Sequence, residues 1–334
     1  MTSYILRRLL QLIFVLWAGA TLLFFLLFTL PNSPGELIAG GANRAANPQV
    51  VRNVNHKLGF DRPIYVQYGK FLNRTIHGDL GESYRTHEKV NDILKERAPI
   101  SLRIAFWAIV IEIVIGISSG VLSARRRNSF ADTATTLIAV VASAIPVFVL
   151  AYLMKQVTGV YAYQHHLPGW MRFPALGFGP NRWILWIFPT PEQLRYLVQP
   201  AIVLASVSTA ILARITRTSM LESLRMDHVR TARAKGLSER VVVRRHVLRN
   251  AMIPVVTIIG IDFGTAAGAA ILTEFSFNLP GVGSKIVTAA GQRDLPIVLG
   301  LSIFVMAVYG VASLLVDISY AYLDPRIRLG GDDG

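Results

Sequence analysis

Six stretches of apolar residues constrain this chain more than anything else in it, each close to the length of helix, about 20 residues, that crosses a bilayer. They cover residues 9–30, 102–122, 133–154, 198–215, 251–272 and 297–320. The predicted fold is therefore an all-α membrane protein with six transmembrane helices. Only 16% of the 334 residues are charged, against about 25% in an ordinary soluble domain. The first stretch follows Arg7 and Arg8 and contains Ala18, Gly19 and Ala20, which imitate a signal-peptide cleavage site. Its apolar run continues to Leu30, longer than the core of a signal, so it reads as a retained first span.

The formal net charge is +14. In a polytopic chain such an excess collects in cytoplasmic loops and fixes orientation, so no nucleic-acid partner is inferred. Arg7 and Arg8 precede the first span, Arg125, Arg126 and Arg127 separate the second from the third, and ten basic residues run from Arg214, at the end of the fourth, to Arg249, before the fifth. All three groups fall on one side if both termini are cytoplasmic. The expected organisation is a first transmembrane helix (1–30), an external segment with amphipathic helices (31–99), a five-helix core (100–320) and a cytoplasmic tail (321–334). Within the core lie an external loop of about 159–199 and a cytoplasmic loop of about 216–250. In the external segment Ile64, Tyr65, Tyr68, Phe71, Leu72 and Ile76 recur at helical spacing, as residues packing on the membrane or on spans do. The run 183–188, too short to span, is expected in the interface, where tryptophan is favoured.

Small residues let helices approach closely in lipid. Gly260, Gly264 and Gly268 are spaced by four on the fifth span, as are Gly116 and Gly120 on the second; all five are expected to pack helices. Glu112 and Asp262 lie well inside their spans, where a charge costs on the order of 2.5–3.5 kcal/mol and must face protein or water. At 100° per residue, Asp262 lies about 200° around the helix from Gly260. If the stripe packs on a helix, Asp262 looks into a cavity, so Asp262 and, with less support, Glu112 are candidates to line a translocation path.

The loop before the fifth span carries the most information. Residues 221–235 read as a short helix that Gly236 stops, and Ser238 is a plausible N-cap for a second, basic helix bearing Arg240, Arg244, Arg245 and Arg249. Its core is Thr231-Ala232-Arg233-Ala234-Lys235-Gly236, followed by His246, Leu248, Arg249-Asn250-Ala251 and Pro254. This arrangement resembles the coupling loop, the EAA motif, of bacterial ABC-import permeases. In more detail the chain is similar to the first permease subunit of the dipeptide/oligopeptide/nickel importer family. The likeness rests on RRLLQLIFVLWAGATLLFFLL from Arg7, LGFDRPIYVQY from Leu58, HGDLGESYRT from His77 and SARRRNSFAD from Ser123. Ser143-Ala144-Ile145-Pro146, ILTEFSFNLPGVG from Ile271, Arg293-Asp294-Leu295-Pro296 and DPRIR from Asp324 complete it. His228 and Leu295 stand where the family usually has Tyr, and Thr231 where it usually has Glu or a small residue.

The resemblance implies a type I importer architecture and a coupling helix that seats in a groove of an ATPase. The coupling residues are then Glu222, Asp227, Thr231, Ala232, Arg233, Ala234, Lys235 and Gly236, with Ala232 and Ala234 letting the helix lie close to its partner. It also implies a bacterial cytoplasmic-membrane location and, besides membrane lipid, four kinds of partner: a second permease, two ATPase subunits or one fused, an extracytoplasmic binding protein, and a peptide or similar small solute.

The chain has no cysteine, which excludes disulfides and thiolate sites. It has no phosphate loop of the form G-x-x-x-x-G-K-[ST]; residues 281–285 echo one with the wrong spacing. No cofactor is therefore expected in the chain, ATP and Mg being left to partner subunits. His165 and His166 lack a third ligand, so no metal is expected, and no catalytic constellation is visible. A stand-alone secondary transporter would show inverted repeats or broken helices at mid-membrane, and an intramembrane enzyme a nucleophile with a base; neither pattern is seen.

Overall fold

A computed structural model describes residues 2–28 and 48–323, with the backbone alone for a few of these, Gly264 among them. Residues 31–47 of the external segment, and residues 324–334 of the tail with the motif at 324–328, lie outside the described residues. The elements are helical apart from one two-stranded hairpin. Among the described residues four helices are long and apolar enough to cross a membrane, and one bent pair makes a fifth candidate. The stretch 251–272 lies inside a further continuous helix, Leu248–Phe277. The residues divide into two compact units, Met1–Ile100 with Gly281–Gly310, and Ser101–Pro280 with Val311–Gly334.

In the first unit α1 (Thr2–Phe28) is followed by the amphipathic α2 (Pro48–Leu58) and α3 (Ile64–Ile76). The helical spacing in α3 has a physical outcome: Phe71 is buried, and its ring stacks on Phe24 at 5.1 Å. Tyr68 packs on Phe24 and Phe25, and its hydroxyl shares a 2.8 Å hydrogen bond with Thr21. Ala20, part of the apparent cleavage motif, is buried in this same cluster with Leu299. The neighbouring Gly19 is small because a Cβ there would meet Met306 Sδ at 2.7 Å.

The family motifs at 77–86 and 293–296 fold onto each other in this unit. Ser83 Oγ donates a 2.5 Å bond to Asp294 Oδ2, the Tyr84 amide donates to Asp294 Oδ1 at 3.2 Å, and Asp294 is buried. Two turns make the approach possible: Gly81 has φ +94° and Arg293 has φ 58°, in the left-handed region that closes α10 (Val282–Gln292). Beside them Val90 and Ile93 pack on Val282, Ala289, Ile297 and Leu301.

The helix α4 (Val90–Arg125) starts in the first unit, well before the expected second span, carries Pro99, and continues into the second unit from Ser101. The third expected span, 133–154, is not one helix. It is α5 (Phe130–Ala144) and α6 (Val147–Met154), bent by 108°. Pro146 is the cause. It has no amide to continue the ladder, and it forces Ile145 to an extended ψ of 124°. Residues 155–161 continue α6 as a π-helical turn.

The run 183–188 forms a hairpin, β1 (Trp183–Ile184) with β2 (Phe188–Pro189), turning through Leu185 and Trp186 at positive φ. Arg103 of α4 clasps it: the guanidinium sits 4.6 Å from the Trp183 ring and 5.0 Å from the Trp186 ring, and Nε donates to the Trp186 carbonyl at 2.7 Å. Leu185 and Trp186 face outward.

Next comes α7 (Pro191–Ser223), capped by Thr190 and with Pro191 in its first turn, where a missing amide costs nothing. It lies against α4 where glycines remove side chains: a Cβ on Gly116 would touch Leu212 at 3.0 Å, and one on Gly120 would strike the Ala213 carbonyl oxygen at 2.6 Å. Because a carbonyl in a helix cannot move aside, Gly120→Ala is expected to destabilise the protein by about 2–3 kcal/mol, at the upper end for overpacking. The check is a thermal melt of the detergent-solubilised protein, with Gly268→Ala as control: a Cβ there meets nothing within 4 Å among the described residues.

Candidate functional site

The expected helix at 221–235 starts later than its sequence suggested. Residues 221–223 finish α7, a turn at 224–226 follows, and α8 runs Asp227–Ala234. The turn is closed by backbone bonds from Leu224, Arg225 and Met226 to the carbonyls of Met220, Glu222 and Ser223. Glu222 therefore belongs to α7, exposed, and not to the short helix. Asp227 in the first turn suits the positive end of the helix dipole, and Thr231 Oγ1 donates back to the Asp227 carbonyl at 3.0 Å. Gly236 ends the helix with φ +76°, its amide bonding the Arg233 carbonyl, as glycine does at helix exits.

Ser238 takes the N-cap geometry of the following turn, Glu239–Val241, without a side-chain cap bond. The chain then runs through a π-helical segment, Val242–Val247, into α9 (Leu248–Phe277) without a break. Across the Gly236 turn, Arg233 and Glu239 form a two-pronged ion pair at 2.8 and 3.1 Å. The guanidinium holds the Glu239 carboxyl below its ordinary range.

Small size at Ala232 serves this chain itself. Ala232 and Val229 are buried against Ala124 of α4, Met220 of α7, Val242 and Val247 of the π-helical segment, and Ala251 of α9. A hydrogen bond from Ser223 Oγ to the Val247 carbonyl, 3.2 Å and buried, ties the same root. Ala232, expected against the ATPase, is thus packed within its own chain: Val229 and Ala232 are three apart and share one face of α8, and burying that face leaves Asp227, Arg230, Thr231 and Ala234 exposed. Met226 and Leu237, 49% and 40% exposed, flank that face with apolar surface. Lys235 and Gly236 are exposed at its end. His228 accepts at Nε2 from the Asn250 side chain at 3.0 Å, fixing α8 to the start of α9.

A second construction, which the charge pattern did not reveal, sits at the start of α5. Asp132, buried, receives Arg217 of α7 in a two-pronged bond at 2.7 and 2.9 Å, the Asn128 amide at 2.9 Å, and the Ser123 hydroxyl of α4. The family motif at 123–132 is therefore a corner joining α4, α5 and α7. Arg217 reads from sequence as one more positive-inside residue, and only its 85-residue partner gives it this role.

Glu112 is 3% exposed, and its carboxyl meets that of Asp262, which also bonds Ser208. Two carboxyl groups bond each other only when one carries a proton. The Asp262 carboxyl thus has an acid and a hydroxyl among its neighbours. On the same helix Gly260 packs on α11 (Leu295–Leu323), where a Cβ would meet Val316 at 2.5 Å, while Gly268 has nothing within 4 Å among the described residues. His165 packs against Tyr161, ring centroids 4.1 Å apart and tilted by 38°. Among the described residues no group of three His, Asp or Glu could hold a metal.

Long apolar helices carrying a short, outward-facing helix on a shared apolar root define a multi-span membrane protein. Comparison with known families agrees. Residues 113–329 match the family described as binding-protein-dependent transport system inner membrane component, and residues 1–105 match its N-terminal membrane-component family. A dipeptide transport system permease protein of Alkalihalophilus pseudofirmus is 36% identical over 343 residues, covering 98% of this chain and all of the relative. A putative peptide transport system permease protein of Brucella abortus is 38% identical over 98% of this chain and 99% of its own length. A probable peptide ABC transporter permease protein of Sinorhizobium fredii is 34% identical over 98% of this chain and all of its own. The chain belongs to the binding-protein-dependent transport system inner membrane components: it is a multi-pass permease subunit of an ABC importer in the cytoplasmic membrane, and not itself an enzyme.

Proposed function

We propose that the chain is the first of two permease subunits forming the path for di- or oligopeptides, driven by ATPase subunits through α8. The reading assigns it a second permease, two ATPases or one fused chain, and an extracytoplasmic binding protein. ATP and Mg belong to the ATPases, and this chain holds no cofactor. Both termini and α8 face the cytoplasm, following the placement of Arg and Lys. The observation that carries the proposal is that α8 offers one face outward while its other face is set into the ends of α4, α7 and α9. A push on the outer face at Thr231 and Ala234 is delivered to three helices together. The names of the relatives support peptides as the solute class.

The test is uptake of labelled di- and oligopeptides by cells lacking this chain, with and without its restoration, together with co-purification. Loss and recovery of peptide uptake, with an ATPase and a binding protein recovered on the tagged chain, is the expected result. Undiminished peptide uptake in the deletion strain would overturn the solute, and an isolated chain with no ATPase would overturn the coupling.

In this reading Glu112 and Asp262 brace the wall of the path and do not touch the solute. Asp262→Asn keeps a donor for Glu112, so uptake is expected to stay within about twofold, because the pair's hydrogen bond survives. A tenfold loss for one peptide class alone, at equal protein level, would instead place Asp262 in the path.

A further inference from the structure

A cavity of about 470 Å³ opens in the first unit beside α1, α3 and the start of α11. Its volume is in the range of sites for small organic ligands. One wall is aromatic, with Phe24, Phe28 and Phe60; the other carries Lys70, Arg74 and Tyr84. Lys70 and Arg74 lie four apart on α3 and so share one side of that helix. Among the described residues neither has a carboxylate within ion-pair distance, while the one acid lining the cavity, Glu82, is taken by His87 at 3.2 Å. The Tyr84 ring is held edge-on against Phe60 at 5.5 Å, and its hydroxyl has no hydrogen-bond partner among the described residues. Burial keeps that phenol protonated, well above its usual range, and so a donor. The cavity thus combines two cations and a hydroxyl donor with an apolar floor, and it is built for an amphipathic anion.

Its place along α1 selects among such anions. Phe28 closes the described part of α1, two residues before the apolar run ends and so near the level where headgroups meet the hydrocarbon. Further along the same helix an open groove is lined by Trp17, Leu22, Phe25 and Leu26, with Leu22 66% exposed. A chain leaving the cavity has an apolar track to follow.

We propose that this cavity binds an anionic phospholipid, its phosphate held by Lys70, Arg74 and Tyr84 and its acyl chain laid on the Phe24, Phe28 and Phe60 wall. The assignment is independent of which solute the transporter carries. The test uses the full-length, delipidated protein in detergent, read by native mass spectrometry with added phosphatidylglycerol, phosphatidylcholine or inorganic phosphate. Phosphatidylglycerol should be retained about tenfold better than phosphatidylcholine, because charge-assisted bonds to two cations favour net negative charge. K70Q/R74Q should lower that retention about tenfold at an unchanged melting temperature, and Tyr84→Phe, which removes one hydroxyl only, should lower it by a smaller factor. Equal retention of the two lipids, or undiminished retention by both variants, would overturn the proposal. Displacement of the lipid by inorganic phosphate alone would overturn the lipid in favour of a simple anion site.

Discussion

Asp132→Ala is expected to cost the folded protein about 3 kcal/mol, the lower end for removing one partner of a buried ion pair. Asp132 has only 6% of its side chain exposed, whereas Arg217 keeps 30% and can recover some hydration, which is why the lower end applies. The loss is not confined to the pair. The Asn128 amide and the Ser123 hydroxyl lose their acceptor in the same step, and with it go the links from α4 and α7 to the start of α5. Asp132→Asn should lie between the two, since an amide keeps one acceptor oxygen but turns a donor toward the guanidinium. The double change D132L/R217M replaces the charges by apolar side chains of similar bulk and should recover much of the stability. Thermal melts in detergent, with size-exclusion profiles, give the order. A single variant that melts with wild type would show that the pair contributes nothing.

The second large effect is on transport. Ala232→Glu places a carboxylate in the cluster of Val229, Met220, Val242 and Val247, all fully buried. Leaving a charge there without a partner costs several kcal/mol, more than an eight-residue helix held mainly by two side chains can retain, so α8 leaves its seat. Peptide uptake should fall at least tenfold, a penalty of about 1.4 kcal/mol in coupling already being sufficient. Ala234→Trp separates the two faces. It leaves the root untouched and adds bulk only outside, so it should release the ATPase in co-purification without lowering the melting temperature. If Ala232→Glu transports normally, the buried root is not the link; if Ala234→Trp keeps its ATPase, the outer face is not the docking surface.

These cases show what the sequence could and could not convey. Hydropathy located the apolar stretches because burial in lipid is a property of a window of residues. It could not see the 108° bend at Pro146, since both sides of the bend are equally apolar and a straight and a broken helix have the same mean. The short helix was legible from Gly236 and the alternation of small and basic residues. Its orientation was not, because a small residue reports that something comes close without saying whether the neighbour is the same chain. Ala232 is the plain example. The angular argument set Asp262 apart from Gly260, yet angle alone could not place Glu112, 150 positions earlier, at the other end of the bond. Arg217 was hidden for the same reason: partners distant in sequence leave no local spacing. Gly120 was noticed for its interval with Gly116, whereas what fixes it is a carbonyl on a neighbouring helix.

The corner at Pro146 has a consequence for the bilayer itself. The closing carbonyls of α5 find either a proline or a residue beyond the bend at the position where an amide donor belongs. Hydrocarbon would offer them nothing, so the corner suits a place against protein or water and not against lipid.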